Sequence, residues 1–170
     1  MKRPRPCIRP ATLADLPAIL GLIRVYAKRE LMLPLSYGDA IDRLRDFLLL
    51  SEGRRGPVAG TVAVHPVWEG MAELRSLAVA EAFQGRGHGR ALVQAAVQEA
   101  RRLGAVRLFT LSYVPDFFRR LGFKDVDRQT LPHKVWQDCV KCPKFPDCGE
   151  TALALRVGRA RGGSGTAVAP

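Results

Sequence analysis

The stretch "LRSLAVAEAFQGRGHGRALVQAAVQEARRLGA", residues 74–105, constrains the fold more than any other part of the chain. Upstream, "MAELRSLAVA" reads as a strand, with Ala72, Leu74, Ser76 and Ala78 on one side and Glu73, Arg75, Leu77 and Val79 on the other. Downstream, Leu92, Val93, Ala96, Val97, Ala100 and Leu103 recur at helical spacing, and Gly104 stands where a left-handed C-terminal residue belongs. Between them lie Gly85, Gly87 and Gly89. A strand that feeds a long helix through a glycine-rich turn demands a layered α/β architecture.

The same turn indicates chemistry. The first amides of a helix have no intrahelical partner, and the macrodipole is positive there, so the site attracts phosphate. Glycines let backbone approach a ligand without a Cβ between them. Arg86, His88 and Arg90 add positive charge, so a pyrophosphate suits the geometry. The spacing lacks the Lys-Ser/Thr pair of a P-loop, and Gly-x-Gly-x-Gly is not the Gly-x-Gly-x-x-Gly of dinucleotide folds.

Elsewhere Thr12 caps an amphipathic helix through "LADLPAILGLIRVYAKREL", with Leu13, Leu16, Ile19, Leu20, Ile23 and Ala27 on one face. Pro17 falls in its early turns, where a missing N–H is tolerated. Ser36 is placed to cap a second helix through "YGDAIDRLRDFLLL", whose Ile41, Leu44, Phe47 and Leu48 share a face. "PVAGTVAVHPVW" reads as a strand or hairpin, "VRLFTL" as a strand, "PDFFRRL" as a short helix closed by Gly122, and "ALAL" near residue 153 as a last strand. The expected order is helix, helix, two or three strands, strand, long helix, strand, short helix, strand. One domain over residues 8–157 and a disordered Gly-rich tail over 158–170 follow from length and pattern.

Charge excludes less than it first suggests. The net charge is +11, but Lys2, Arg3, Arg5, Arg156, Arg159 and Arg161 lie in the two ends; the other 21 basic residues face 16 acidic ones. The remaining bias favours anionic ligands. The basic ends lack interleaved aromatics, so nucleic acid is not the expected partner. No run approaches the ~20 apolar residues of a membrane span, and the basic N-terminus has no apolar segment behind it, so the expected location is the cytoplasm.

"Gln84-Gly85-Arg86-Gly87-His88-Gly89" resembles the Gln/Arg-x-x-Gly-x-Gly/Ala signature of the GNAT superfamily of acetyl-CoA-dependent N-acetyltransferases, and "FFRRLGF" resembles the family's aromatic segment ending in Gly-Phe. The resemblance runs from about residue 8 to 157. It implies a central mixed, mostly antiparallel sheet flanked by helices. It also implies that coenzyme A lays its pyrophosphate on the turn at Gln84, Gly85, Arg86, Gly87, His88, Gly89 and Arg90. The pantetheine arm would then pair with backbone at Leu77, Ala78 and Val79, which would supply partners for its two amides.

A narrower resemblance, carried by "AELRSLAV", "LFTLSY", "FFRRLGF" and "LPHKVWQDCVKCPKFPDC", is to the acetyltransferase domain of bacterial N-acetylglutamate synthases in their short stand-alone form. Longer synthases carry an amino-acid-kinase-like domain, which the short form is expected to do without. The resemblance implies acetyl transfer to the α-amine of L-glutamate, the first step of arginine synthesis. That reaction requires a base for the ammonium, an oxyanion donor, and an acid for the departing thiolate.

By the same comparison Glu73 stands at the place of a catalytic glutamate and Ser112 at that of a thiolate-protonating serine. The alternative for Glu73 is an ion pair with Arg75; for Ser112 it is capping of backbone groups at a strand end. Where many GNAT enzymes carry an acid tyrosine, this chain has Phe118, which leaves Tyr113 as the substitute. For a dicarboxylate acceptor the expected contacts are Arg24, Lys134 and the backbone at Ser76 and Leu111. Another amino acid, or a protein N-terminus, is the alternative acceptor; a basic module without turnover is the alternative class. A homodimer is compatible with either.

Cys139, Cys142 and Cys148 form a Cys-x2-Cys-x5-Cys cluster, with His133 as a possible fourth ligand. In a reducing compartment such a cluster either holds zinc or consists of reduced thiols shaping a loop.

Overall fold

The computed structural model describes residues 6–53, 56–131, 139, 140, 144 and 148–158. The elements are β1 (Pro6–Pro10), α1 (Leu16–Ala27), α2 (Tyr37–Asp42), β2 (Phe47–Glu52), β3 (Val58–Trp68), β4 (Met71–Val79), α3 (His88–Arg102), β5 (Arg107–Ser112), α4 (Pro115–Arg119), β6 (Lys124–Asp125) and β7 (Thr151–Arg156). The strands form one sheet in the order β1-β2-β3-β4-β5-β7-β6. Every neighbouring pair is antiparallel except β4 and β5.

Both faces of the sheet are covered. On one, α3 lays Leu92, Val93, Ala96 and Ala100 against Leu48, Leu50, Val62, Val64, Leu74 and Leu108. On the other, Ile19 and Ile23 of α1 pack on Phe47, Leu49 and Ala63. The residues expected at the helix starts act there: the Thr12 backbone N–H and hydroxyl both donate to Asp15, and Ser36 accepts from the Asp39 amide at 3.0 Å.

The second helix is shorter than its apolar spacing suggests. It ends at Asp42, and Phe47 to Glu52 form a strand. Phe47 and Leu49 are buried under α1, whereas Leu48 and Leu50 are buried under α3, so the run needs apolar neighbours on two opposite sides. A strand inside a covered sheet provides that; a surface helix does not. β1 is also new relative to the sequence reading. "PCIRP" begins and ends in proline, and it occupies the edge of the sheet, where missing donors are tolerated.

The simple alternation expected along β4 is interrupted. Ala63 pairs with Arg75 but Thr61 pairs with Ala78, so β4 carries one extra residue, and Ser76 takes a positive φ of 53°. The bulge reverses the facing of everything after it. Ala78 therefore sides with Arg75 rather than with Leu74.

Candidate active site

The bulge coincides with a fork in the sheet. β4 and β5 pair only as far as Glu73 and Phe109. Beyond that point the strands diverge, and the gap is a cavity of about 270 Å³ lined by Glu73 to Leu77 on one side and Thr110 to Val114 on the other. Tyr26 and residues 31–35 of the α1–α2 loop close one wall, and Phe118 and Glu150 complete it. Strand edges that separate inside a protein leave backbone N–H and C=O groups seeking partners, so the fork can receive an extended amide-bearing ligand.

Several expected residues meet here. Glu73, Ser76, Leu77, Leu111, Ser112 and Tyr113 all line the cavity. Glu73 also has the ion-pair neighbour considered above: Arg75 Nη1 lies 3.6 Å from Glu73 Oε2. Ser112 is buried, and its Oγ accepts the Val114 N–H at 3.0 Å. Accepting that bond leaves the hydroxyl hydrogen available to a group in the cavity, so the cap and an acid role are compatible. Tyr113 leans toward the C-terminal segment. Its ring lies under Lys144 Nζ at 4.8 Å, and its hydroxyl is 4.0 Å from Cys148 Sγ.

The glycine turn stands at the mouth of α3. Gly87 is the N-cap with φ 81°, and Gly85 has φ 71°. A Cβ at either would meet nothing within 4 Å, so conformation rather than crowding requires glycine there. The first intrahelical bond near the mouth runs from Ala91 N–H to Gly87 O, leaving the amides of residues 88–90 at the open end of a 15-residue helix.

The side chains of the turn are engaged elsewhere. Arg86 donates to Glu52 at 2.9 Å and to Ala82 O at 2.8 Å, and buried His88 lies 3.2 Å from the same Glu52 carboxylate. Arg86 first, and His88 second, hold the Glu52 carboxyl below its ordinary range. Gln84 donates to Tyr26 Oη at 2.7 Å and to Val79 O at 3.2 Å, while Tyr26 Oη donates to that same carbonyl. What the turn offers an anion is backbone, with exposed Arg90 beside it.

Other expected contacts fall outside the cavity. Arg24 lines a neighbouring depression of about 290 Å³ with Lys28, Leu20, Ala27, Pro34 and Leu35, which shares Pro34 and Leu35 with the fork. Lys134, His133 and Cys142 lie outside the described residues. Cys139 and Cys148 are free thiols, and among the described residues no group of three His, Cys, Asp or Glu side chains could hold a metal. Burial raises the Cys139 thiol above its usual range. Among the described residues no helix is long and apolar enough to cross a membrane.

The sequence pattern did not single out Tyr26, Glu150 or the loop wall. Tyr26 was within reach, because it follows Ile19 and Ile23 at helical spacing. Glu52 and Glu150 carry no local signal.

Residues 18–123 match the Acetyltransferase (GNAT) family. The chain belongs to that family. This acetyltransferase is 37% identical over 147 residues to an uncharacterized N-acetyltransferase of Chlorobaculum tepidum, covering 86% of this chain and 94% of that one. It is 31% identical to an amino-acid acetyltransferase of Mycobacterium tuberculosis, covering 81% and 80% of the two chains. Its fold superposes with a TM-score of 0.83 and 27% identity on N-acetylglutamate synthase from Neisseria gonorrhoeae complexed with coenzyme A and N-acetyl-glutamate. That match covers 93% of this acetyltransferase but 36% of the synthase chain, so the chain spans about a third of it. The protein is thus an acetyl-CoA-dependent N-acetyltransferase, with the mixed, mostly antiparallel sheet expected of one.

Proposed function

We propose that the protein transfers the acetyl group of acetyl-CoA to the α-amino group of L-glutamate, forming N-acetylglutamate for arginine synthesis. The observation that carries this reading is the presence of Glu73 and Ser112 on opposite arms of one fork, inside a single cavity. Amides of residues 85–90 hold the pyrophosphate, and backbone along Leu77, Ala78 and Val79 aligns the pantetheine. Glu73 takes a proton from the α-ammonium directly or through one water. The neutral amine attacks the thioester carbon, the C–S bond breaks, the thiolate takes the Ser112 proton, and the second proton shed by the new amide nitrogen passes to Ser112 and restores its hydroxyl. The backbone at Ser76 and Leu111, with Arg24 and Lys134, receives the acceptor's carboxylates. The M. tuberculosis and N. gonorrhoeae relatives support a free amino acid as acceptor.

A second acceptor class is favoured by the loop wall. Leu31, Met32, Leu33, Pro34 and Leu35 are five consecutive apolar residues at the cavity, with Leu31 and Leu33 exposed. They suit an α-amino acid or peptide N-terminus with an apolar side chain.

Thiol release from acetyl-CoA with glutamate, glutamine, aspartate, lysine, leucine and methionine separates the two. Turnover highest with glutamate and a loss of roughly 100-fold or more in Glu73→Gln are expected. Full rate in Glu73→Gln sinks the base assignment, and preference for leucine or methionine transfers the proposal to the second acceptor class.

A further inference from the structure

The antiparallel register of β3 and β4 sets His65 directly opposite Glu73. Cross-strand partners point to the same face with Cβ atoms about 4.5–5.5 Å apart, so one water can bridge an imidazole and a carboxylate there. His65 does not stand alone. Its Nδ1 lies 2.7 Å from Asp46 Oδ2, at the end of the 3-10 turn that leads into β2, and both side chains are mostly but not wholly buried.

That pair has a chemical consequence. A carboxylate on Nδ1 fixes the proton there, orients the ring, and leaves Nε2 as the acceptor. Among elements packed beside β3 on this face, the 3-10 turn contributes Arg45 and Asp46, β4 contributes Glu73 and Arg75, and α1 contributes Arg24. Of these, Asp46 makes the hydrogen bond to the ring.

We propose that His65, oriented by Asp46, is the positioning residue that returns Glu73 to its ionised form in each turnover. The inference rests on the reading of Glu73 as the base. After the ammonium proton moves to Glu73, the carboxylic acid passes it through one bridging water to His65 Nε2. Asp46 keeps the Nδ1 proton hydrogen-bonded throughout, and the imidazolium then releases the Nε2 proton to solvent. No proton is left in the cavity to reprotonate the next amine. The imidazole side chain is 23% exposed, which gives the proton a way out.

The test compares His65→Gln, Asp46→Asn and Glu73→Gln with the parent in the pH dependence of kcat and kcat/KM, alongside acetyl-CoA affinity by calorimetry and the thermal midpoint. His65→Gln is expected to lose roughly tenfold in kcat with acetyl-CoA affinity unchanged, and its acid limb should shift to lower pH because the group whose protonation blocks the relay is gone. Asp46→Asn, which loosens the orientation of the ring, should show a smaller loss of rate with acetyl-CoA affinity unchanged, and it serves in place of His65→Gln if that variant does not fold. Parent rates in both variants would overturn the relay, as would an unmoved limb in His65→Gln or a loss of rate that follows only the thermal midpoint. An inactive Glu73→Gln beside a fully active His65→Gln leaves the base in place and removes the relay, whereas full activity in Glu73→Gln removes both.

Discussion

Tyr26 and Gln84 stand 58 residues apart in the chain and meet at 2.7 Å over the carbonyl of Val79, to which both donate. One end of the fork in the sheet is therefore closed by α1 and one end of the glycine turn together. The glycine turn and the α1 side of the cavity are parts of the same bracket.

Tyr26→Phe removes one donor to Val79 O and the partner of the Gln84 amide. Stability should fall by about 1 kcal/mol, the usual net value of such a bond, seen as a lower urea midpoint. The KM for acetyl-CoA should rise several-fold, because strand end and turn lose their common anchor. An unchanged KM would show that the bracket is structural only.

Gly87→Ala places a Cβ on a residue with φ 81°, a conformation costing an L-residue about 1–2 kcal/mol. Calorimetry should show acetyl-CoA bound roughly tenfold more weakly, since the backbone must shift to relieve that strain. Gly87→Asn, which tolerates the left-handed region better, should recover part of both losses. Equal behaviour of the two variants would contradict a conformational cause.

Ser112→Ala tests the leaving-group proton. A fall in kcat of roughly 10-fold to 100-fold with little change in acetyl-CoA affinity is expected if the hydroxyl protonates the thiolate. The variant also leaves the Val114 N–H without its acceptor, which should cost about 1 kcal/mol in a denaturation experiment. A loss of stability without a loss of rate would assign Ser112 to the turn alone.

Asp15 carries the clearest pH dependence. Its hydrogen bonds from Arg9, at 2.7 and 2.8 Å, and then those from Thr12, hold the carboxyl far below its ordinary value of 3.8. A carboxyl depressed on folding contributes fully above that ordinary value and loses its contribution as the pH falls further. Asp15→Asn should therefore be less stable than the parent by about 1–3 kcal/mol at pH 7, with the gap closing on acidification below pH 4. A gap independent of pH would mean that packing, not charge, is what Asp15 supplies.

Burial raises the Cys139 thiol, so at neutral pH a smaller fraction is thiolate than in an open peptide. Alkylation followed by mass spectrometry should find Cys139 reacting more slowly than a cysteine in an unfolded control, with the rate climbing as pH rises. Immediate reaction at neutral pH would contradict the burial.

The strand, glycine turn and long helix over residues 71–104 were legible from the sequence because their rules are local: alternation, helical spacing, and glycine where φ must be positive. The resemblance likewise pointed to Glu73 and, in "LFTLSY", to Ser112, and the two share the cavity. The run "FLLL" fits a helix by spacing alone, because apolar residues in sequence do not say whether they will be buried on one side or two. That was decided when α1 and α3 covered opposite faces of β2.

The rest depended on pairing between distant segments. The bulge at Ser76 exists only in the register of β4 on β3, and His65 opposes Glu73 only through that pairing. The Arg86 side chain, expected to add positive charge beside a phosphate, also pairs with Glu52, 34 residues away. Spacing along the chain determined the secondary elements that carry the chemistry. Which side chains share a face, a carboxylate or a carbonyl was decided by strand register and helix packing, because those contacts form only when the sheet closes around its core.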